Sequence, residues 1–376
     1  MKKDWKEGKI TNYKLLTPGP LTTSETVKKA MMVDHCTWDN DYKVITQKIR
    51  KDLLELANAP EEDYTVILMQ GSGTFGVESV ITSSVGTDEK LLICENGAYG
   101  KRMKDIANHA GIDAVVYSEP FNKIPCAKKV EEILNKDKEI THVSMVHCET
   151  TSGILNDIES VAKVVKEHGK TFIVDAMSSF GGVVIDMEKL GADFMISSSN
   201  KCIQGVPGFS FIIAKKEALK KCEGKARSLA LDLYDQFKTM DIDGKWRFTS
   251  PTHVVLAFAQ AIKELQEEGG VAKRYERYLN NNRTLIAKME ELGIKTYIDS
   301  EHQSPIITTF LYPEIHNYSF NEMYEYIKER GYAIYPGKVT EADTFRIGNI
   351  GEIYEEDMIK LAEIIKGFME EKANEM

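Results

Sequence analysis

The sequence is poor in the features that mark several whole classes of protein. No apolar run comes near the roughly 20 residues that cross a bilayer as a helix, so no membrane partner is expected. The opening stretch, residues 1–10, is polar and lysine-rich without an apolar centre, and does not read as a signal peptide. A basic stripe is also missing: 48 Lys and Arg against 58 Asp and Glu give 48 − 58 = −10. Nucleic acid is therefore not an expected partner, because neutralising phosphates supplies most of that affinity. Six cysteines (Cys36, Cys94, Cys126, Cys148, Cys202, Cys222) form no C-x-x-C pair, which favours reduced thiols in a cytoplasmic protein over a disulfide framework. The eight histidines show no H-x-x-x-H spacing, and no metal site is expected.

What is present suits a folded enzyme-sized chain. An apolar share of 42% and a charged share of 28% are ordinary, and 376 residues exceed what one core usually supports, so two domains are expected. Short apolar runs at 65–69, 90–94, 114–117, 142–146, 171–174, 194–196 and 209–214 read as strands. Helical stretches lie between them at 75–84, 99–110, 128–134 and 158–167. This alternation predicts an α/β fold with a mostly parallel sheet between helices. After Pro251 the pattern changes to two long amphipathic helices at 254–268 and 271–292. A smaller α+β pattern follows, with strands at 306–311, 332–335 and 344–347, a helix at 321–330 and a last helix from Glu355. The expected division is 1–255 for the large domain and 256–376 for the small one.

Gly71-Ser72-Gly73-Thr74-Phe75-Gly76 follows a strand and opens a helix, and matches G-x-G-x-x-G. Glu95, at the end of the next strand, offers the acidic residue that a dinucleotide site wants, so an NAD(P)-dependent oxidoreductase is one reading. The physics is less particular: a glycine turn at a helix N-terminus presents free N–H groups to any phosphate. Alone, the motif leaves a dinucleotide, another phosphate and a purely structural turn open.

Two later segments narrow the choice. Phe172-Ile173-Val174-Asp175 is an apolar strand ending in a carboxylate, and Lys201 sits in a small, polar, glycine-punctuated turn (SSSNKCIQGVPG). Separately, Asp175 reads as a strand-end or capping aspartate and Lys201 as a solvated lysine. The interval 201 − 175 = 26 places both at the carboxyl edge of adjacent elements, where open α/β sheets bind ligands. With the glycine turn they form the set that pyridoxal 5'-phosphate needs: an amine for its aldehyde, a carboxylate for its ring nitrogen, and a phosphate cup.

From Leu15 through the C-terminal domain the chain resembles the class V aminotransferases. The likeness is carried by 15–24 (LLTPGPLTTS), 96–100 (NGAYG), 147–153 (HCETTSG), 244–251 (GKWRFTSP), 335–338 (YPGK) and 345–351 (FRIGNIG). The stretch 34–39 (DHCTWD) resembles the branch of that family acting on phosphonates. So does Tyr99, where members acting on alanine and glyoxylate carry Trp.

The resemblance implies the pyridoxal-phosphate-dependent transferase fold type I: a large domain with a mostly parallel sheet and a smaller C-terminal α+β domain. It implies 2-aminoethylphosphonate and pyruvate as substrates and a homodimer as the working unit. Other class V transaminases, of the alanine–glyoxylate or serine–pyruvate type, are the nearest alternative. Lys201 and Asp175 would be catalytic. Ser72, Gly73 and Thr74 would hold the cofactor phosphate, Tyr99 would stack on its ring, and Thr150 would contact the ring hydroxyl or the Asp175 side of the ring. Asn200 would be a further cofactor contact, and Thr249 would reach the phosphate held by the neighbouring subunit. Arg346 would clamp the substrate's acid group, with Arg247 and Lys338 as unranked helpers. Cys202, beside the lysine, reads as a small buried residue.

Overall fold

The computed structural model describes residues 13–374, so the polar segment 1–10, expected not to be a signal peptide, lies outside the described residues. All the strands expected before Pro251 enter one 7-stranded sheet. Its order is Tyr64–Gln70, Phe209–Lys215, Phe194–Ser198, Thr171–Asp175, Ile140–Val146, Lys90–Glu95 and Asp113–Ser118. Phe209–Lys215 runs antiparallel to both neighbours, and the remaining pairings are parallel. The architecture is α/β, as the alternation predicts.

Both faces of this sheet are buried, and strand alternation sorts its residues between two cores. Val66, Leu68, Phe172, Val174, Phe209 and Phe211 feed one core, together with Ile49, Leu53, Val161 and Phe258 from helices. Ile67, Met69, Ile173, Phe194 and Ile196 feed the other, covered by Val77, Val80, Met103 and Ile106. Continuous apolar runs were therefore the right signature.

The C-terminal part has its own core. A 3-stranded antiparallel sheet of Ile307–Leu311, Thr344–Gly348 and Tyr335–Pro336 packs with the helices Gly270–Glu291, Phe320–Glu329 and Glu355–Asn374. The expected single strand at 332–335 is two short ones. Tyr332–Ala333 pairs with Lys14–Leu15, and Tyr335–Pro336 pairs with the Thr344–Gly348 strand. The start of the described chain thus belongs to the C-terminal unit, and Leu16 is buried in its core.

Packing also moves the expected division near 255. The helix Thr252–Glu268 buries Val255, Phe258, Ala261, Ile262 and Leu265 in the large unit's core. The next helix, Gly270–Glu291, buries Leu285 and Met289 in the C-terminal core. We place the division at Gly269-Gly270, where the chain turns between the two. Among the described residues, five α-helices have no counterpart in the expected pattern: the short Glu25–Ala30, Met187–Leu190 and Lys216–Lys220, and the longer Asn40–Leu56 and Leu233–Asp243.

Phe258 is fully buried, with its ring centre 5.0 Å from that of Phe209 and 5.8 Å from that of Phe211. Truncation leaves a cavity at the junction of helix and sheet, so Phe258→Ala should cost about 3–5 kcal/mol. Denaturant unfolding followed through Trp246, whose ring packs edge-on against Phe209, measures it. A loss below about 1 kcal/mol would mean that Thr252–Glu268 is not part of this core.

Candidate active site

Asp175 ends its strand and Lys201 lies just beyond the end of the neighbouring strand, Phe194–Ser198. Topology thus brings them together at the carboxyl edge of the sheet. Asp175 accepts a hydrogen bond from the Met177 amide at 2.8 Å, and burial pushes its carboxyl up to about 6. Lys201 Nζ donates to the Pro18 carbonyl at 2.7 Å, and burial pushes its ammonium down to about 8. No ion pair joins the two among the described residues. The opening segment borders the site because it has a glycine there: a Cβ on Gly19 would lie 2.7 Å from Lys201 Cδ, and its φ of +110° suits glycine.

The glycine turn supplies the facing wall. Ser72 is the N-cap of the helix Gly73–Ser84, but its side chain makes no capping bond, so both the hydroxyl and the helix's first N–H groups are available to an anion. Met177, two residues after Asp175, packs where a Gly73 side chain would stand, since a Cβ there would come within 2.2 Å of its sulfur. Thr74 Oγ1 accepts from Arg102 Nη1 at 3.2 Å. These groups enclose a cavity of about 180 Å³ lined by Ser72, Gly73, Thr74, Tyr99, Arg102 and Asp175, and also by Met177, Ser198, Asn200 and Lys201. Asn200 is oriented by Ser198 Oγ, which donates to its Oδ1 at 3.1 Å.

Tyr99 stands on this wall because Glu149 fixes the start of its helix. Buried Glu149 accepts from the Tyr99 and Gly100 amides at 3.1 and 3.3 Å. Thr150, beside it, is fully buried, and its Oγ1 has no protein partner. Its carbonyl accepts from Arg346 Nη1 at 2.8 Å, while Arg346 Nε donates to the Pro336 carbonyl at 3.0 Å. The guanidinium plane is thereby held between the two units, and Nη2 makes no hydrogen bond to a described residue.

Some expectations do not converge here. Thr249 is exposed and does not line its own chain's cavity. Arg247 is engaged by the Leu229 carbonyl at 2.7 Å and by Asp235 at 3.2 Å, which removes it as a helper in this cavity. Segment 34–39 lies outside it too, with Trp38 68% exposed. Glu95, the would-be ribose partner, is buried, accepts from Ser118 Oγ at 2.7 Å on one oxygen and does not line this cavity, so the dinucleotide reading loses its acidic residue. Cys202 is buried, with its thiol on the Ser178 carbonyl. Arg102 and Met177 were missed. Arg102 was legible, since it lies three residues after Tyr99 on one helix and so shares its face. Met177 was not, because only the fold carries it across to Gly73.

The profile of the family described as aminotransferase class-V matches residues 30–347. The chain belongs to the class V aminotransferases. A protein of Lysinibacillus sphaericus named 2-aminoethylphosphonate–pyruvate transaminase is 59% identical over 366 residues, covering 97% of this chain and 100% of that one. One of the same name from Bacillus cereus is 56% identical over 359 residues, covering 94% and 97%. Among solved structures, an alanine–glyoxylate aminotransferase from Nostoc sp. superposes with a TM-score of 0.89 at 23% identity, covering 97% of each chain. A pyridoxamine–pyruvate aminotransferase from Mesorhizobium loti gives 0.89 at 21% identity, covering 96% and 93%. Pyridoxal 5'-phosphate is the cofactor that this family implies. A roomier groove of about 760 Å³ beside the Ile158–Glu167 helix holds neither Lys201 nor Asp175, so volume alone does not locate the aminotransferase chemistry.

The two shifted groups give opposite pH signatures in cofactor-free protein. Asp175 holds its proton more tightly folded than unfolded, so its burial lowers stability as pH rises from about 4 towards 6. Lys201 is the reverse: its folded form loses the proton first, so stability recovers as pH rises beyond about 8. Asp175→Asn keeps an acceptor for the Met177 amide and removes the buried charge. It should raise the melting temperature by a few degrees at pH 7 and by nothing near pH 4, as read by calorimetry. An equal change at both pH values would mean that the carboxylate's charge is not the cause.

Proposed function

We propose that this chain transfers the amino group of 2-aminoethylphosphonate to pyruvate, giving phosphonoacetaldehyde and L-alanine in phosphonate degradation. The observation that carries the substrate choice is the near-full-length likeness to relatives of that name. Lys201 and Asp175 in one cavity, with Arg346 held at the Thr150 carbonyl, support the reaction. An alanine–glyoxylate or serine–pyruvate transaminase is the nearest alternative, and it shares everything except the substrate contacts.

The residues present suit pyridoxal 5'-phosphate. Ser72, Gly73 and Thr74 offer an uncommitted hydroxyl and helix N-terminal amides to its phosphate, and Arg102 adds a positive charge beside Thr74. Thr150 Oγ1, buried without a partner, is left for a ring substituent. Tyr99 provides a flat face, Asn200 a polar wall, and Asp175 a carboxylate for the ring nitrogen, whose positive charge favours the ionised acid. When bound, the cofactor supplies an electron sink for the carbanion left by removal of a proton beside the substrate's amine.

Lys201 does two jobs in turn. Its amine, made easier to deprotonate by burial, would be the group that holds the cofactor through its aldehyde. When not so engaged, Nζ would act as the general base that takes the proton from the carbon bearing the substrate's nitrogen. Asp175 keeps the ring nitrogen protonated throughout. Arg346, fixed by two backbone carbonyls, presents Nη2 to the acid group of each substrate, phosphonate first and pyruvate carboxylate second. Both substrates thus visit one site, and the kinetics are ping-pong.

We assign the working unit as a homodimer in which Thr249 completes the partner's phosphate cup. Thr249 is exposed next to Phe248, which is 50% exposed, and within residues 229–249 Leu229 and Ile242 are also 75% and 82% exposed, apolar side chains suited to a second copy. We place the reaction in the cytoplasm, in keeping with six free cysteines.

The donor range tests the substrate. Side by side, 2-aminoethylphosphonate should exceed β-alanine by about 100-fold in kcat/KM, the yield of one or two extra charge-assisted bonds. Arg346→Lys should lose most of this activity, because an ammonium lacks the planar clamp. If L-alanine or L-serine with glyoxylate outruns the phosphonate, the substrate assignment fails and the aminotransferase stands.

Hybrid dimers test the shared site. Chains carrying Lys201→Ala and Thr249→Ala, each inactive as a homodimer, should regain part of the parent rate on mixing, since one of the two sites is then intact. With Thr249→Ala severely impaired on its own, mixed dimers showing no gain would place Thr249 outside the partner's site.

A further inference from the structure

Two cations stand over one aromatic ring, and a third lies close by. Lys338 Nζ stands 4.5 Å from the centre of the Tyr99 ring, and Arg102 Cζ stands 4.9 Å from it. The third, Arg346, is pinned between Thr150 and Pro336 with its Cζ 5.8 Å from the centre of the Tyr335 ring, and its charge acts on Lys338. Arg102 is tied to Thr74 at the phosphate cup, so it belongs with the cofactor. Lys338 has no such tie: it makes no hydrogen bond or ion pair with any described residue. Burial, then the charges of Arg102 and Arg346, weaken its hold on its proton. The one acid acting on it is Glu149, whose carboxylate is already taken by the amides of Tyr99, Gly100 and Thr151 and by the Thr151 hydroxyl.

A half-buried ammonium beside two guanidiniums, with no free carboxylate, is a position that an incoming anion relieves. One charge is enough to satisfy Arg346. A phosphonate brings a second, and Lys338, a point charge on a flexible stem, has the reach and the vacancy to meet it. We infer that Lys338 is the residue that distinguishes a doubly charged tetrahedral acid group from a singly charged one, with Arg346 common to both. This rests on the reading that the amino donor is a phosphonate. It also explains how one site serves a phosphonate and a carboxylate in alternate half-reactions: pyruvate uses Arg346 and leaves Lys338 idle.

The test separates charge from shape with two unreactive anions, ethylphosphonate and ethanesulfonate. They share a two-carbon chain and a tetrahedral head, and differ by one charge where the phosphonate is doubly ionised. Their dissociation constants for the holoenzyme are measured by calorimetry in the parent, Lys338→Gln and Lys338→Arg. Lys338→Gln should weaken ethylphosphonate by about 10- to 100-fold, the worth of one charge-assisted bond, and change ethanesulfonate less than about threefold. Lys338→Arg should retain the preference. In turnover, Lys338→Gln should lower kcat/KM for 2-aminoethylphosphonate by the same factor as its loss of ethylphosphonate binding and leave that for pyruvate within about threefold. Equal losses for both anions, or no loss for ethylphosphonate, overturn the inference. Lys338→Met, which keeps the stem's packing, gives the same comparison if the glutamine variant folds poorly. A parent that prefers ethylphosphonate but does not transaminate 2-aminoethylphosphonate sinks the substrate reading, and the binding ratio still decides the role of Lys338.

Discussion

The site depends on burying two opposite charges at the ends of neighbouring strands without letting them neutralise each other. A direct contact between Asp175 and Lys201 would satisfy both and leave neither for a cofactor. Instead each is met by the backbone: the Met177 amide holds the carboxylate and the Pro18 carbonyl holds the amine. Both are left destabilised in their charged forms by burial, and a ligand with a cationic ring nitrogen and an electrophilic carbon relieves both. Parallel strands in this order supply the placement, because adjacent strands that end together deliver their next residues to the same edge.

That arrangement makes the N-terminal segment part of the machinery. Lys14–Leu15 adds a strand beside Tyr332–Ala333, and Leu16 is buried in the C-terminal core. The Leu16 carbonyl accepts from the Gly348 amide, and Pro18 then reaches Lys201. One short stretch therefore links the C-terminal unit to the catalytic amine. Arg346 makes the second link, between Thr150 of the large unit and Pro336 of the small one. If Arg346 holds the substrate's acid group as proposed, substrate binding and the relative placement of the units share an interaction.

Legibility in the sequence followed range. The sheet was readable because each buried parallel strand is a local apolar run, and the Asp175–Lys201 pair because strand ends in such a sheet converge. The split of residues 332–335 was not readable, since it is set by two different partners far away in the chain, Lys14–Leu15 and Thr344–Gly348. Nor was the division at Gly269-Gly270, since an amphipathic helix does not say which core receives its apolar face. Arg346 was found through resemblance; that its plane is fixed by two carbonyls is tertiary information. Thr249 and the segment 34–39 do not line the Lys201 cavity of their own chain, and a single chain cannot say what their exposed neighbours meet.

The division of labour between the two units has a chemical consequence. Lys201, Asp175, the glycine turn and Thr150 all stand on the large unit, so the groups that suit a cofactor are set by one sheet and its loops. Arg346 and Lys338 come from the C-terminal unit, on the Thr344–Gly348 strand and just past Tyr335–Pro336. Tyr99 lies between the two sets, with cations from each on its ring. On the proposed function, changes on the C-terminal strands would alter which acid group is accepted while leaving Lys201 and Asp175 untouched. Amino donors of different charge are then a matter of the cations lining one rim, not of a new active site.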